Sequence, residues 1–260
     1  MNREKIDQQL HNNDAIAERY FKKHNIPSSS YIRKNRIMKA IKPVSEKNKS
    51  LGDVVDIGCG IGSTAKYLEG KYESYLGIDY SDALIKTAKK FNHDNNKARF
   101  ICNNVKSREV PDNCADIILA LGVLHHMTEL DTVMKSIGRI GKPGANIVAI
   151  EPIDVNLFVQ FMRWIRGKID SGYSEEQHFF SYEELKDLFK KNGFSEITFR
   201  YHGVISKPLS ELIIINRFIP QSIAALFVKF DEIIENKFPW LLKRVAWDII
   251  ITAKCPNENT

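Results

Sequence analysis

From residue 51 onward, short runs of apolar and β-branched residues alternate with stretches in which apolar residues recur at helical spacing. Strands that alternate with helical patterns in this way predict a parallel sheet joined by crossover helices. The pattern predicts strands at Asp53–Ile57, Tyr75–Asp79, Arg99–Cys102, Asp116–Leu121 and Ala145–Glu151. It predicts the intervening helices at Thr64–Glu69, at Ser81–Phe91 with Ser81 as its N-cap, and at Glu129–Gly141.

Two helices are also predicted ahead of these strands and one after them. The leading pair covers Asp14–His24 and Tyr31–Ile41, separated by the NIPSSS break. The later segment, SYEELKDLFKKNGF, is typical of a helix capped by Ser181, with Glu184 three residues on and Gly193 at its end.

The last part of the chain predicts two strands with a long connection between them. The strands are residues 196–202 and 245–254, and the proline-punctuated apolar residues 203–244 predict two or three helices. Another apolar amphipathic piece, VNLFVQFMRWIRGK, follows Glu151 and carries Trp164 among basic residues that suit a membrane interface. These segments are expected to cover the ends of the strands. They would form a lid over an acceptor, or else pack on the core or pair in a dimer.

Positive charge is concentrated at the start of the chain. The formal net charge is +6 over 260 residues, yet the first 50 residues hold 12 Lys and Arg against 5 Asp and Glu. Such a bias suits a nucleic acid, an anionic membrane surface or an acidic substrate, but it is equally typical of helices with a solvated basic face. No aromatic-interleaved RNA-binding signature accompanies it, so we favour the solvated face and expect no nucleic-acid partner.

The cysteines and the first residues predict the compartment. Cys59, Cys102, Cys114 and Cys255 form no C-x-x-C pair and have no histidine at metal-ligand spacing. We therefore expect reduced thiols in a cytoplasmic protein, and no metal site. The opening MNREKIDQQLHNND lacks the apolar core of a signal peptide, and no apolar stretch approaches the ~20 residues of a membrane span. Any membrane contact is expected to be peripheral.

Residues 54–64, VVDIGCGIGST, bring glycines directly after the first predicted strand. Ligands of open α/β sheets bind beyond the carboxyl ends of the strands, so this turn is a candidate binding site. A dinucleotide fingerprint would need glycine where Ser63 stands, and no Gly-Lys-Ser/Thr follows as in a phosphate-binding loop. The acidic Asp56, with no Arg or Lys close by in the sequence, instead favours a ligand that carries positive charge.

The second predicted strand, YLGID, ends at Asp79 and is followed by Tyr80. A carboxylate at this position can accept both hydroxyls of a ribose, and an aromatic neighbour can cover an adenine. The ligand is then expected to combine a ribose, an adenine and a cationic group near Asp56, without phosphate. S-Adenosylmethionine meets all of these conditions.

Four segments resemble, in order and spacing, the motifs of class I S-adenosylmethionine-dependent methyltransferases. They are VVDIGCGIGSTAKYL, YLGIDYS, RFICNNVKSREVPDNCADIILALGVLHHM and GRIGKPGANIVAIEP. The resemblance covers roughly residues 50–200 and is to the small-molecule branch related to quinone and sterol methylation. It implies a doubly wound, Rossmann-like α/β sheet of seven strands with the last strand antiparallel, N-terminal helices, and a helical insertion before the last strand.

The expected domain organisation follows from this resemblance. Residues 1–50 would form an N-terminal helical cap and residues 51–260 the methyltransferase domain. Residues 153–170 and 203–244 would form a helical lid or insertion within that domain.

The resemblance also implies cofactor contacts. Asp56 would order the glycine turn and approach the methionine amino group, Asp79 would bind the ribose, and Leu121 would face the methionine chain. The family often has Gly-Asp where this chain has Asn103–Asn104, so an amide oxygen would accept from the adenine amino group. The other implied contacts are the backbone of Gly58, Cys59, Gly60 and Gly62 at the methionyl group, and Tyr80, Asn104 and the Val105 amide at the adenine.

Three histidines and one glutamate are candidates for a general base. His125 and His126 follow the fourth predicted strand, where the family has the acceptor side of its pocket. His178 precedes the capped helix and resembles a histidine common at that point in related methyltransferases, and Glu151 ends the fifth strand. A base is needed only if the acceptor is a hydroxyl or an acidic carbon, so packing roles stay open.

The expected function is methyl transfer from S-adenosylmethionine to a small, apolar or lipid-like acceptor by in-line displacement, with the acceptor atom undetermined. Methylation of a protein or RNA is one alternative, which the basic N-terminal residues allow. A non-catalytic protein that keeps the cofactor fold as a scaffold is another. The expected partners are the small-molecule acceptor and a peripheral membrane surface, and a homodimer stays open.

Overall fold

The computed structural model describes residues 12–45, 50–154, 160, 179–211 and 217–256. Its strands are β1 (Asp53–Ile57), β2 (Ser74–Asp79), β3 (Ala98–Cys102), β4 (Ala115–Leu121), β5 (Gly141–Pro152), β6 (Ser195–His202) and β7 (Asp248–Lys254). They form one sheet in the order β3-β2-β1-β4-β5-β7-β6. Strands β1 to β5 are mutually parallel, and β7 lies antiparallel between β5 and β6. The predicted seven-stranded α/β sheet with an antiparallel last strand is confirmed.

Helices precede, connect and follow these strands. The described helices are α1 (Asp14–Asn25), α2 (Pro27–Ser45), α3 (Ser63–Tyr67), α4 (Asp82–Phe91), α5 (Leu130–Ile140), α6 (Tyr182–Lys191), α7 (Ser206–Glu211), α8 (Gln221–Lys237) and α9 (Pro239–Val245). The last three lie between β6 and β7, so the expected helical insertion before the last strand is confirmed together with the N-terminal helices.

Two predicted helix starts are confirmed in atomic detail. The Ser81 side chain accepts a hydrogen bond from the Leu84 amide at the start of α4. Ser181 and Glu184 form a reciprocal capping box at the start of α6, because each side chain bonds the backbone amide of the other residue. These local bonds satisfy amides that a helix end would otherwise leave without partners.

Several element boundaries differ from the sequence expectation, most of all in α2, β5 and β7. Strand β7 begins at Asp248 and not at residue 245, because helix α9 extends to Val245. Helix α2 begins at Pro27 and not at Tyr31, so the break shrinks to Ile26. Proline is well suited to a first helical turn, where its missing N–H costs nothing. Strand β5 begins at Gly141, before the predicted start at Ala145, because Gly141 already pairs with β4 across a register irregularity.

The hydrophobic core fills both faces of the sheet. On one face, Ile118 and Ile251 pack with Met134 of α5 and Phe189 of α6. On the other face, β-strand residues pack with α2 and α4 through Ile41, Ile85 and Ala88. Helix α2 also contacts α7 and α8 of the insertion. Since both faces are covered, a binding site is expected at the ends of the strands.

Some predicted features lie outside the described residues. His178 is among them, as is most of the 153–170 segment, including Trp164. In the described part of the chain, no helix is both long and apolar enough to cross a membrane.

Candidate active site

The glycine turn after β1 requires glycine on steric grounds. Gly58 and Gly62 both have left-handed backbone, with φ of +67° and +71°. A Cβ on Gly58 would lie 2.2 Å from a Val123 methyl carbon, and one on Gly62 would lie 2.7 Å from the Asn92 amide nitrogen. A Cβ on Gly60 would meet nothing within 4 Å. The turn therefore presses against the loop after β4 and against α4, while Gly60 faces open space.

Asp79 ties the end of β2 to this turn. Its Oδ2 accepts a hydrogen bond of 2.9 Å from the Gly60 amide, and its Oδ1 accepts one of 3.0 Å from the Ser81 amide. The side chain is almost fully buried. Asp79 thus fixes the relative position of the glycine turn and the start of α4, which is a structural role additional to the predicted ribose contact.

A cavity of about 250 Å³ lies at the carboxyl ends of β1, β4 and β5. Its wall includes seven of the residues predicted from the sequence, namely Asp56, Gly58, Cys59, Gly60, Leu121, His125 and His126. A neighbouring cleft is lined by the other predicted adenosine contacts, Asp79, Tyr80, Asn104 and Val105. Gly58 and His126 line both spaces. The structure therefore brings most of the predicted cofactor residues to two adjoining spaces.

Asn104, where the family often has an aspartate, is turned toward its own loop. Its side-chain oxygen accepts a 2.9 Å hydrogen bond from the Lys106 amide. The preceding Asn103 in turn accepts one of 2.8 Å from the Asn104 amide. These bonds hold the loop beside Tyr80 in a defined shape.

Asp56 is a fully buried carboxyl group on the cavity wall. Burial raises its pKa to about 7, although a hydrogen bond from the Tyr75 hydroxyl to Oδ2 and the nearby Thr64 side chain oppose that shift. Its Oδ1 accepts no hydrogen bond from the described residues. A buried acceptor that lacks a donor is costly, so this oxygen suits the ammonium group of a bound ligand.

Glu151, at the end of β5, is fully buried and lies behind the loop that follows β4. Its Oε1 accepts from the amides of Val123 at 3.0 Å and Leu124 at 2.8 Å. Its Oε2 accepts from the His125 amide at 3.3 Å and lies 2.7 Å from His125 Nδ1. Burial raises the pKa of Glu151 to about 7, against the lowering effect of the three amides. Glu151 does not line the cavity, so its position is that of a partner to His125.

His125 is the imidazole that this arrangement orients. It is buried, lines the cavity, and contacts His126, with ring centroids 4.0 Å apart and ring planes tilted by 40°. A carboxylate at Nδ1 selects the tautomer that carries its proton on that nitrogen. The sequence suggested both histidines and Glu151 as alternatives, whereas the structure joins His125 and Glu151 into one pair.

The cavity wall also contains charged and aromatic residues that the sequence analysis missed. Four are cationic and four are aromatic: Lys23, Arg33, Arg36 and Lys207, with Tyr20, Tyr67, Phe179 and Trp247. Arg36 bonds Asp248 at 2.8 Å. The interpretation of the N-terminal charge as a solvated face is therefore wrong for three of these cations. They come from α1 and α2, and no local motif marks them.

Metal ligation has no support among the residues that the structure describes. No three of their His, Cys, Asp or Glu side chains are grouped so as to hold an ion. The four cysteines are free thiols, and burial raises the pKa of the Cys59 thiol on the cavity wall. A neutral, buried thiol is a poor nucleophile, which leaves Cys59 a packing role.

Comparison with known proteins gives a consistent assignment. Residues 55–149 match the sequence profile of a methyltransferase domain. The human mitochondrial ubiquinone biosynthesis O-methyltransferase is 28% identical over 166 residues, which are 60% of this chain and 44% of that protein. The demethylmenaquinone methyltransferase of Staphylococcus saprophyticus is 24% identical over 207 residues, covering 71% of this chain and 87% of that protein. The chain thus spans less than half of the human relative.

A solved structure shares the fold over almost the whole chain. It is a S-adenosylmethionine-dependent methyltransferase from Thermotoga maritima, described as a possible histamine N-methyltransferase. Its TM-score is 0.62 at 17% identity, with 95% of this chain and 99% of that chain covered. Residues 55–149 thus carry a methyltransferase domain, and the solved structure shows that the chain shares the fold of such a protein.

Proposed function

We propose that this protein transfers a methyl group from S-adenosylmethionine to a small-molecule acceptor. The observation that carries the proposal is Asp56 Oδ1, a buried oxygen on the cavity wall that accepts no hydrogen bond from the described residues. It suits the methionine ammonium group. Asp79 would bind the ribose, and Tyr80, Asn104 and Val105 would surround the adenine. When bound, the cofactor supplies an activated methyl group, so the protein's task is mainly to orient the acceptor.

The acceptor atom that this site suits best is a hydroxyl oxygen or an acidic carbon. The support is the pair of His125 and Glu151, with 2.7 Å between Nδ1 and Oε2. An imidazole whose Nδ1 is bonded to a carboxylate exchanges protons through Nε2, and the carboxylate stabilises the imidazolium that forms. His125 would therefore take the acceptor's proton, and Glu151 would act as a positioning residue.

The cavity wall supports one class of acceptor over another. Its aromatic side chains suit a flat, apolar ring, and its described cations disfavour a positively charged amine. Two relatives are named for ubiquinone biosynthesis and for demethylmenaquinone. A phenol or quinol with a lipid-like body combines these properties, and we propose that class. An acceptor of this kind partitions into bilayers, so the proposal includes a cytoplasmic protein in peripheral contact with a membrane.

Calorimetry with S-adenosylmethionine and S-adenosylhomocysteine tests the cofactor site. We expect both to bind, and Asp79→Ala to weaken binding at least tenfold, because a hydrogen bond to a charged group contributes about 1.5–3 kcal/mol. Asp94→Ala is the matched control, since Asp94 is an exposed carboxylate that pairs with Lys66. Equal affinities of the two variants would refute the ribose assignment, and failure of both ligands to bind the wild type would refute the function.

Transfer assays separate an enzyme from a cofactor-binding scaffold. We would follow labelled methyl from S-adenosylmethionine into a panel of phenols, quinols and primary amines, with protein and RNA as further acceptors. Label in the phenols or quinols supports the proposal. Label in RNA or protein alone favours the macromolecular alternative, and cofactor binding without transfer to any acceptor favours the scaffold.

A further inference from the structure

Helix α8 presents apolar side chains to solvent. Ile223, Leu226, Phe230 and Ile233 recur at spacings of three and four residues, which brings them to one side of the helix. All four are exposed, Leu226 to 60% and Phe230 to 49% of their surfaces. A helix on the surface of a soluble protein normally turns such a stripe toward the core.

The inner side of α8 carries two carboxylates, Asp231 and Glu235, that hold the helix in place through specific bonds. Asp231 is buried and accepts from the Ile205 amide at 2.9 Å and the Ser206 amide at 3.0 Å. Glu235 bonds Lys39 of α2 and lies 2.8 Å from His202 Nδ1. If α8 rotated so that its apolar stripe faced the core, the bonds of Asp231 and Glu235 would break. The two carboxylates would gain no other partners in exchange. The outward orientation is therefore built into the fold.

Other large apolar side chains are exposed in the same part of the chain. Phe218 precedes α8, and Phe238 and Trp240 lie at the start of α9, which contacts α8. Trp240 is 63% exposed. Every exposed large hydrophobic side chain of the described residues falls between positions 217 and 245. Such concentration marks an interaction surface, and aromatic side chains are favoured at membrane interfaces.

The charges on this surface decide between two candidate partners, a second copy of the chain and a lipid bilayer. Between residues 217 and 245 five cationic side chains are exposed, Arg217, Lys229, Lys237, Lys243 and Arg244. Glu232 is the one exposed carboxylate in that range, since Asp231 and Glu235 point inward. A second copy of the chain related by two-fold symmetry would bring these cations together, at a cost. An anionic lipid surface complements them and accepts the apolar stripe.

We infer that α8 and α9 form the surface by which this protein docks on an anionic bilayer, with the apolar stripe in the acyl boundary and the cations at the headgroups. This inference specifies the surface that makes the membrane contact proposed above, and it rests on that proposed function. Two residues of the cavity wall, Lys207 and Trp247, lie close to these helices in the chain. Asp231 of α8 bonds the Ser206 amide just before Lys207, and Trp247 follows α9. The docked helices would thus adjoin the acceptor's side of the site.

Vesicle flotation of the full chain at low salt tests the inference. We expect binding to vesicles with about one-third phosphatidylglycerol and little binding to pure phosphatidylcholine, with loss of binding as salt rises. The triple variant Leu226→Gln, Phe230→Gln and Trp240→Gln should bind at least tenfold more weakly, because its apolar stripe no longer enters the bilayer. Since these side chains are exposed, the variant should keep the wild-type affinity for S-adenosylhomocysteine.

A matched pair of charge variants tests the cationic half of the inference. Lys243→Glu with Arg244→Glu should reduce vesicle binding at least tenfold, whereas Lys89→Glu with Lys90→Glu, exposed on α4, should leave it near the wild-type value. Equal losses in both, unchanged binding of the triple variant, or no wild-type binding would overturn the inference. A dimer in light scattering that the triple variant abolishes would identify a second copy as the occupant. Cofactor binding and transfer to soluble phenols test the proposed function separately.

Discussion

Among single residues, Asp56 affects both the stability of the folded protein and the cofactor site. Its side chain is sealed between the sheet and the cavity, and Tyr75 bonds one oxygen. Burial raises its pKa from the ordinary value of 3.8 to about 7. Between those two pH values the folded chain holds a proton that the unfolded chain has released. Stability therefore falls as the pH rises through this range.

This linkage predicts a pH-dependent difference between the wild type and Asp56→Asn. From pH 5.5 to pH 7.5 the free energy of unfolding of the wild type should fall by about 2 kcal/mol relative to the variant, as the two pKa values require. Urea unfolding at both pH values measures it. Subtraction of the variant removes the similar contribution of Glu151, whose pKa is also about 7. A constant difference across the two pH values would contradict the raised pKa of Asp56.

The pairing of His125 with Glu151 predicts a division of catalytic effects. His125→Ala should lower kcat about 10²- to 10⁴-fold, the usual contribution of a positioned base. Glu151→Gln should lower kcat with little change in KM and should shift the pH profile of kcat, because the imidazole loses its charged partner. His93→Ala, exposed on the surface, is the control. Activity of His125→Ala near the wild-type level would remove the base from the mechanism.

At the scale of elements, the glycine turn sets how closely β1, α4 and the loop after β4 approach one another. Gly62 and Gly70 separate two effects, since both have positive φ, at +71° and +78°. A Cβ on Gly62 would crowd Asn92 and Phe100, whereas one on Gly70 would meet nothing within 4 Å. A side chain at either position would therefore strain the backbone, but only one at Gly62 would also clash with its neighbours.

We therefore expect Gly62→Ala to destabilise the protein more than Gly70→Ala. The Gly70 variant should lose about 1 kcal/mol from left-handed backbone alone. The Gly62 variant should lose a further 1–3 kcal/mol, roughly the usual cost of overpacking. Denaturant unfolding of both variants at one pH measures the difference. Equal losses would mean that α4 moves away from the turn without cost.

Elements with local signals were predicted well, and those without were not. The strands follow from β-branched runs, and Ser81 and Ser181 mark helix starts through bonds to amides only three residues away. The start of α2 was wrong because proline permits a helix where the serines suggested a break. For α8, the sequence predicts an amphipathic helix but not which side faces inward. That depends on Lys39 and His202, which are distant in sequence.

In the whole molecule, the cofactor side of the site could be predicted from the sequence, whereas most of the acceptor side could not. The cofactor side consists of turns that directly follow strands, so Asp56, Asp79 and the glycines stand out in the sequence. The acceptor side is assembled from α1, α2, α7 and the residues after α9, and Arg33 and Trp247 belong to no motif. Their positions follow from tertiary packing, and only a structure brings them to one cavity.

One turn of α2 connects the two surfaces on which the proposed activity depends. Arg36 lines the cavity and bonds Asp248, while Lys39, three residues on, bonds Glu235 of α8. Whatever free energy this turn transmits between the sites acts equally in both directions. If membrane contact strengthens the binding of the cofactor by some factor, the cofactor must strengthen membrane contact by the same factor. The loaded enzyme would then partition onto the membrane more than the empty one.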